Sequence, residues 1–590
     1  MTAPAPAAPA AFLAAQKSIA QPYLRFTIAI GGVNAVLLII QAWLIAHCLD
    51  ALVFNPGASI QFNTWLMSLL LIFMLRALLN WGAEQTAFQA AAQVKLTLRD
   101  RVYRHIQAAG PYWLTSQRSG ALAEDLIKGI EALEAYYARY LPAMTLTAII
   151  PLAILFTVLP LDWVTVVIML ITAPFIPIFM ILIGKRVEVI NQQQWRTLAR
   201  MGAHFLDVIQ GLATLKLFNA SRRETQVIAD LSDVYRRQTL AVLRVAFLSS
   251  AVLEFFATVG IAMIAVFIGF RLYHLTLPVP AWLTPPDITF AQGFFILLLA
   301  PEFYLPLRAM GTHYHSRLEA IAAAERLIAI LATPLPSLPA QPQRLLTNQP
   351  LTVQFNHVQF AYEPGRAALI DVDFSLAPGE RVAIVGASGA GKTTIANLLL
   401  GFIRPDQGTI LIAGQPLDQL DMNEWRRQLA WLPQRPRLFQ GSILDNIRLG
   451  RPELSTAAVE YAAQRARAAE FIEKLPNGYD TIIGESGVGL SGGQIQRIAL
   501  ARAFIRDAQL VLFDEATASL DPENESLVQA GIDELAQGRT VIMIAHRLAT
   551  VTQADRILVL NAGQLVEQGT HQQLLAQRGY YCRLVAALAG

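Results

Sequence analysis

The residues best equipped for chemistry lie in "RVAIVGASGAGKTTIANLLLG", where an apolar strand runs into G-x-x-G-x-G-K-T and then a helix. Glycines let backbone N–H groups wrap phosphates closely, and a helix N-terminus adds its partial positive charge. Gly386, Ser388, Gly389, Ala390, Gly391 and Thr394 are therefore expected to line a phosphate loop. Lys392 is expected to reach the β- and γ-phosphates, and Thr393 to ligate Mg2+. A second stretch, "LVLFDEATASLD", ends an apolar strand in Asp514 and Glu515. Asp514 can hold Mg2+ through water, and Glu515 beside it suits a general base for the attacking water. A strand ending in Asp-Glu is common, but downstream of a phosphate loop it points to nucleoside triphosphate hydrolysis.

A third stretch, "LSGGQIQRIALARA", opens a helix at Ser491, Gly492, Gly493 and Gln494. Its N-terminus can face a γ-phosphate by the same helix-end physics. Tyr362 in "FAYEPG", Gln434 in "LPQRPRLFQGSILDNI", Asp521 after "ATASL" and His546 in "MIAHRL" accompany it. Together and in this order, the motifs resemble those of the ATP-binding-cassette (ABC) family. The resemblance implies that Tyr362 stacks on adenine, that Gln434 senses Mg2+ and couples to a membrane domain, that Asp521 sits at a dimer seam, and that His546 contacts the γ-phosphate. It also implies that the signature of one cassette completes the ATP site of another, so a chain with one cassette works as a dimer.

These groups need a scaffold, and the composition says which kind. Of 590 residues, 54% are hydrophobic and 15% charged, and the mean hydropathy is +0.42, too apolar for an ordinary soluble protein. The net charge of +3 gives no nucleic-acid signal. Cys48 and Cys582 lie far apart and read as reduced thiols. Six apolar runs approach the ~20 residues that cross a bilayer: Tyr23–His47, Thr64–Trp81, Met144–Leu159, Trp163–Ile183, Ala246–Phe270 and Ile288–Met310. The Ala/Pro-rich start lacks a basic segment before an apolar core, so residues 1–20 read as a loose tail ahead of an uncleaved first span. Lys and Arg crowd the two long loops, after spans two and four, and are absent from the loops after spans one and three. The positive-inside rule then puts the long loops and both termini in the cytoplasm. The loops themselves carry helical periodicity and read as spans extended into the cytoplasm. Residues 21–331 thus form an all-α six-span domain, the proline-rich 332–350 a linker, and 351–590 an α/β ATPase domain.

Ionisable groups inside spans are costly and mark cavities or pairs. Arg76 lies in span two and Glu254 in span five. In span six, "LAPEFYLPLRAMGTHYHSR" carries Glu302, Tyr304, Arg308, His313, Tyr314 and His315. Counting from Ile288, Glu302 lies about 21 Å and Arg308 about 30 Å along the helix, with the histidines at or below the cytoplasmic edge. Helical geometry puts Glu302 and His313 on one face and Tyr304, Arg308 and His315 on another. A cavity-facing stripe with Arg, Tyr and His suits an anionic cargo, and a histidine can also ligate haem iron.

Six spans ahead of one cassette resemble an exporter half-transporter. The segments "GAHFLDVIQGLATLKLFN", "VLRVAFLSSAVLEFF" and "APEFYLPLRAMGTHYHS" resemble the CydD-type subunits of bacterial CydDC exporters. That resemblance implies a heterodimer with a CydC-like subunit in the bacterial inner membrane, needed for cytochrome bd assembly. The implied cargo is cysteine and glutathione, or alternatively haem. A membrane-anchored regulator or channel would carry a large extra regulatory segment, which the chain lacks. A soluble cassette acting on nucleic acid or ribosomes would not carry six spans, and importers usually keep spans and cassettes on separate chains.

Overall fold

Apolar runs too long for a soluble core become long helices. The computed structural model describes residues 8–54, 59–117, 119–273, 287–335, 342–345, 351–363, 365–449, 451–484, 489–515, 521–545 and 548–589. They fall into two compact units that divide near Leu335.

The first unit is helical: α1 (Pro9–Phe54), α2 (Ser59–Ser116), α3 (Leu141–Val158), α4 (Trp163–Thr172), α5 (Phe175–Gln210), α6 (Ser221–Leu272) and α7 (Phe290–Leu331). Among the described residues, six stretches are long and apolar enough to cross a membrane. The fourth runs Trp163–Met180, joining α4 to the start of α5 across Ala173 and Pro174. Two π-helical turns, Asp125–Gly129 and Tyr136–Tyr140, precede α3. The sequence predicts a loose tail to residue 20, but α1 already starts at Pro9. Phe12, Leu13, Gln16 and Ala20 share one buried face of it, and the Tyr137 hydroxyl donates to the Leu13 carbonyl at 2.8 Å. Proline suits that first turn because its missing N–H has no partner there anyway.

Two apolar cores hold this unit. One gathers Leu13, Val94, Leu98, Ile130, Leu133 and Leu327, from α1, α2, the segment before α3, and α7. The other gathers Ile154, Met169, Ile264, Ile296, Leu299 and Phe303, from α3, α4, α6 and α7. Outside them, apolar side chains such as Phe156 and Leu71 stay exposed, as on a surface that lipid covers. A polar contact secures one end of the bundle. Asp162 caps α4, accepting from the N–H groups of Val164 and Thr165 at 3.3 Å each. It also meets the Arg271 guanidinium at the end of α6 at 3.1 Å, with the carboxylate fully buried. Arg271 opens the loop after span five, on the side the sequence reads as poor in basic residues, and this carboxylate neutralises it.

In the second unit, β1 (Val353–Glu363), β2 (Arg366–Leu376), β4 (Gln407–Ile412) and β5 (Gln415–Pro416) form an antiparallel sheet in the order β2-β1-β4-β5. The larger sheet contains β3 (Arg381–Gly386), β6 (Leu429–Leu432), β7 (Leu510–Asp514), β8 (Thr540–Ile544), β9 (Arg556–Asn561) and β10 (Gln564–Gly569). Its order is β10-β9-β3-β8-β7-β6, parallel except for the β10 edge. Strands such as "TVIMI" are buried along their whole length, the pattern of a parallel sheet covered on both faces. Helices α8 (Lys392–Leu399), α9 (Gly492–Arg506), α10 (Pro522–Ala536) and α11 (Tyr580–Ala589) complete the elements used below.

Candidate functional site

In a parallel sheet the carboxyl ends of the strands share one edge, and ligands bind outside it. Register pairs Ile544 with both Ile384 and Asp514, so β7 and β8 end level and β3 runs two residues past them. The sheet therefore places the phosphate loop after β3, Asp514 and Glu515 at the end of β7, and Gln434 two residues past β6 along one rim.

The loop is built of glycine for steric reasons. Gly389 and Gly391 adopt φ of 80° and 106°. A Cβ on Gly391 would lie 2.7 Å from the Ala368 carbonyl, and one on Gly386 would lie 2.3 Å from the Leu560 carbonyl. Ala390 is buried beneath the loop and Ser388 is exposed on it. Lys392 is 6% exposed and donates to the carbonyls of Gly386 (2.8 Å) and Ala387 (3.0 Å). Burial pushes its pKa down, opposed by the nearby Glu515 and Asp514 carboxylates. The adjacent threonines differ. Thr393 is exposed on the first turn of α8, while Thr394 is buried with its hydroxyl 3.1 Å from that of Tyr362. Tyr362 is 37% exposed and braced edge-on by Phe360, and the Tyr112 ring centroid lies 5.4 Å from its own.

Asp514 and Glu515 have different surroundings. Burial raises the Asp514 pKa, Glu515 beside it adds to the rise, and Lys392 opposes it. Glu515 sits at φ 46°, a left-handed conformation uncommon for a non-glycine residue, and its N–H is tied to the Ile544 carbonyl at 3.0 Å. The Gln434 amide donates to the Glu515 carboxylate at 2.6 Å. Sequence spacing does not reveal this bond, because 81 residues separate the pair.

The signature residues open α9. Ser491 caps it, accepting from the Gln494 N–H at 3.3 Å, while the Gln494 side chain accepts from the Ser491 N–H at 2.8 Å. Gly492 is exposed at the helix start. A Cβ on Gly493 would lie 2.5 Å from Asn524. Asp521 caps α10 and accepts from the Asn524 side chain at 2.8 Å, and Asn524 in turn accepts from Arg497 at 3.0 Å. Asn524 thus links the signature helix to Asp521. The Asp-x-x-Asn spacing at a helix start was the available signal for it. His546 lies outside the described residues.

In the membrane unit the predicted residues separate. Tyr304, expected on a cavity stripe, is buried at 1%, with its hydroxyl 2.6 Å from that of Thr172 and its ring against Gly260. It packs α7 against α4 and α6, because Gly260 has no side chain to keep it out. Arg308, on the same predicted stripe, is instead half-exposed and forms an ion pair with Glu254 of α6, so these two charges neutralise each other. Glu302, His313, Tyr314 and His315 are half-buried, and Arg317 lies 5.9 Å over the Tyr314 ring. Arg76 donates to Asn34 at 3.0 Å and to Gln41 at 2.5 Å. Among the described residues no cluster of His, Cys, Asp and Glu is suited to a metal ion, and Cys48 and Cys582 are both free.

Known proteins resemble this architecture along its length. The family descriptions "ABC transporter transmembrane region" and "ABC transporter" match residues 25–301 and 369–518. The chain is 36% identical over 98% of its length, and 97% of the relative's, to the "Glutathione/L-cysteine transport system ATP-binding/permease protein CydD" of Escherichia coli K12. It is 37% identical, over 96% of each chain, to the "Transport ATP-binding protein AarD" of Providencia stuartii. Among solved structures, a bacterial Atm1-family ABC exporter with ATP bound matches with a TM-score of 0.80 at 27% identity, covering 96% of this chain and 97% of that one.

Proposed function

The chain belongs to the ABC transporter family, and from that membership we infer that it is the CydD-type half of an exporter that moves glutathione and cysteine to the periplasm. It is a multi-pass membrane protein that binds ATP and couples its hydrolysis to transport. The observation that carries the cargo reading is the full-length likeness to a glutathione/L-cysteine transporter subunit. In this reading the protein lies in the bacterial inner membrane with its ATPase unit and termini in the cytoplasm. It pairs with a CydC-like subunit, and its transport supports cytochrome bd assembly.

The chemistry at the rim follows from groups already placed. The phosphate loop and Lys392 cradle the triphosphate, Tyr362 stacks on adenine, and Thr393, Asp514 and Gln434 have the donor types that hold Mg2+. Mg2+ bound there neutralises phosphate charge. Glu515 takes the proton of the attacking water, held in place by the Gln434 bond and its backbone tie to Ile544. Ser491, Gly492 and Gly493 present the α9 N-terminus to the triphosphate of the opposite cassette. Asp521 stands at the seam between cassettes, and His546 completes the γ-phosphate contacts.

The test is ATP-dependent accumulation of labelled glutathione or cysteine in inside-out vesicles holding both subunits. Accumulation that requires Glu515 supports the reading, and absence of accumulation of either thiol overturns the cargo assignment. Haem is the second reading. It is favoured by His313, which is half-buried and makes no hydrogen bond among the described residues. A Soret band on the purified complex that His313→Ala removes distinguishes haem from thiols.

A further inference from the structure

Thr27, Asn34 and Gln41 recur every seven residues along α1, and each is bonded across to α2. The Thr27 and Thr86 hydroxyls lie 2.8 Å apart, the Asn34 amide donates to Asn80 at 2.8 Å, and Arg76 reaches both Asn34 and Gln41. The result is a polar seam between two antiparallel spans, with one cation in it. At 1.5 Å per residue, Gln41 lies about 20 Å from the α1 end at Phe54, and Arg76 about 26 Å from the α2 start at Ser59. Counted from the spans read in the sequence, Gln41 lies about 9 Å in from His47 and Arg76 about 18 Å in from Thr64, so both lie within a ~30 Å hydrocarbon core.

Two features set this guanidinium apart from a helix clamp. The Asn34–Asn80 bond already joins the same helices with neutral groups, one turn away, so clamping does not require a charge. And no carboxylate among the described residues pairs with Arg76, although an unneutralised charge at this depth is expensive. Asn34 and Gln41 use two of the five guanidinium N–H groups and orient the plane. Three remain, two of them on Nη2, enough for the two-point grip a guanidinium makes on a carboxylate.

We propose that Arg76, oriented by Asn34 and Gln41, is an intramembrane binding site for a carboxylate of the transported molecule. The identity of the anion rests on the export reading, while the site itself rests on the seam. Cysteine, glutathione and the propionates of haem all carry the required group.

The test uses the complex of the full chain with its partner half in lipid nanodiscs. Binding of glutathione, cysteine, haem and their carboxyl esters is followed by ligand-induced thermal shift. Arg76→Gln is expected to raise the half-saturating concentration of the free acids at least about tenfold, the equivalent of about 1.4 kcal/mol, and to leave the esters unchanged. Arg76→Lys, which keeps the charge but loses the fork, and Asn34→Leu, which loses the orienting acceptor, are expected to fall in between. Acids and esters weakened equally, or acids unaffected in both Arg76 variants, overturn the site. Dissociation of the two subunits in Arg76→Gln also overturns it, because the missing anion then belongs to the partner chain. If only haem binds, and does so through Arg76, the thiol reading falls and the site stands.

Discussion

Replacing Asp162 with alanine tests the best-buried ion pair of the membrane unit. The carboxylate is fully buried, and the Arg271 guanidinium it faces is 10% exposed. Two costs add. The cap of α4 loses its acceptor for the Val164 and Thr165 N–H groups, about 1 kcal/mol. Arg271 loses its carboxylate, which for a buried pair costs about 3–5 kcal/mol. Arg271 also lies 5.7 Å over the Phe267 ring, which offsets about 1 kcal/mol of that. The expected destabilisation is therefore about 3–5 kcal/mol. In an Arg271→Met background the buried Asp162 carboxylate is itself left without its cation, so Asp162→Ala loses the cap but also removes that charge and should cost less than about 1 kcal/mol. The assay is reversible unfolding of the wild type, both single variants and the double variant in mixed micelles, giving a coupling energy of at least about 2 kcal/mol. A coupling energy below about 0.5 kcal/mol, the scatter of independent sites, would refute the reasoning.

Three further outcomes follow from the described geometry. Glu515→Gln keeps a hydrogen bond to Gln434 by flipping its amide, so the fold is expected to persist while ATP turnover at this chain's site falls about 10²–10⁴-fold; turnover equal to wild type, measured as phosphate release, rejects Glu515 as the base. Tyr304→Phe removes the bond to Thr172 and should cost about 1 kcal/mol in unfolding experiments, with the KM for exported cargo unchanged; a raised KM without loss of stability would return Tyr304 to the cargo path. Because burial raises the Asp514 pKa, its carboxyl takes up a proton at a higher pH than an exposed carboxylate does. Mg2+-dependent ATP binding should therefore weaken as pH falls through that raised value and recover with added Mg2+. An acid limb that excess Mg2+ does not shift argues against Asp514 as the Mg2+ group.

The cassette was legible because its chemistry forces its sequence. A loop that must wrap phosphates at Gly386, Gly389 and Gly391 has few alternatives, and a strand that must deliver Asp514 to a sheet edge is apolar throughout. The spans were legible from length and hydropathy. What escaped the sequence depends on neighbours brought close by the fold. A helical wheel assigned Tyr304 and Arg308 to one stripe, but it has no means of knowing that Gly260 admits the first into the core or that Glu254 faces the second. The bonds from Gln434 to Glu515 and from Asn524 to Arg497 join segments distant in sequence. The docked start of α1 was hidden by its alanines and prolines, which look unstructured by composition yet leave Phe12, Leu13 and Ala20 on one face. The sevenfold spacing of Thr27, Asn34 and Gln41 was in the sequence throughout. It escaped because a search for charges passes over neutral groups.

The fit of Tyr304 against Gly260 also constrains how this bundle can evolve. A Cβ on Gly260 would sit 2.3 Å from the Tyr304 oxygen and 2.6 Å from the ring carbon that bears it. A rigid aromatic ring cannot yield as a flexible chain would, so alanine at position 260 is barred while position 304 is tyrosine. It becomes accessible once a smaller residue stands at 304. The order of substitution is therefore imposed: the ring must shrink before the glycine can grow. Descendant sequences are expected to pass through a loosened intermediate with both residues small, and that bottleneck helps hold the two positions together.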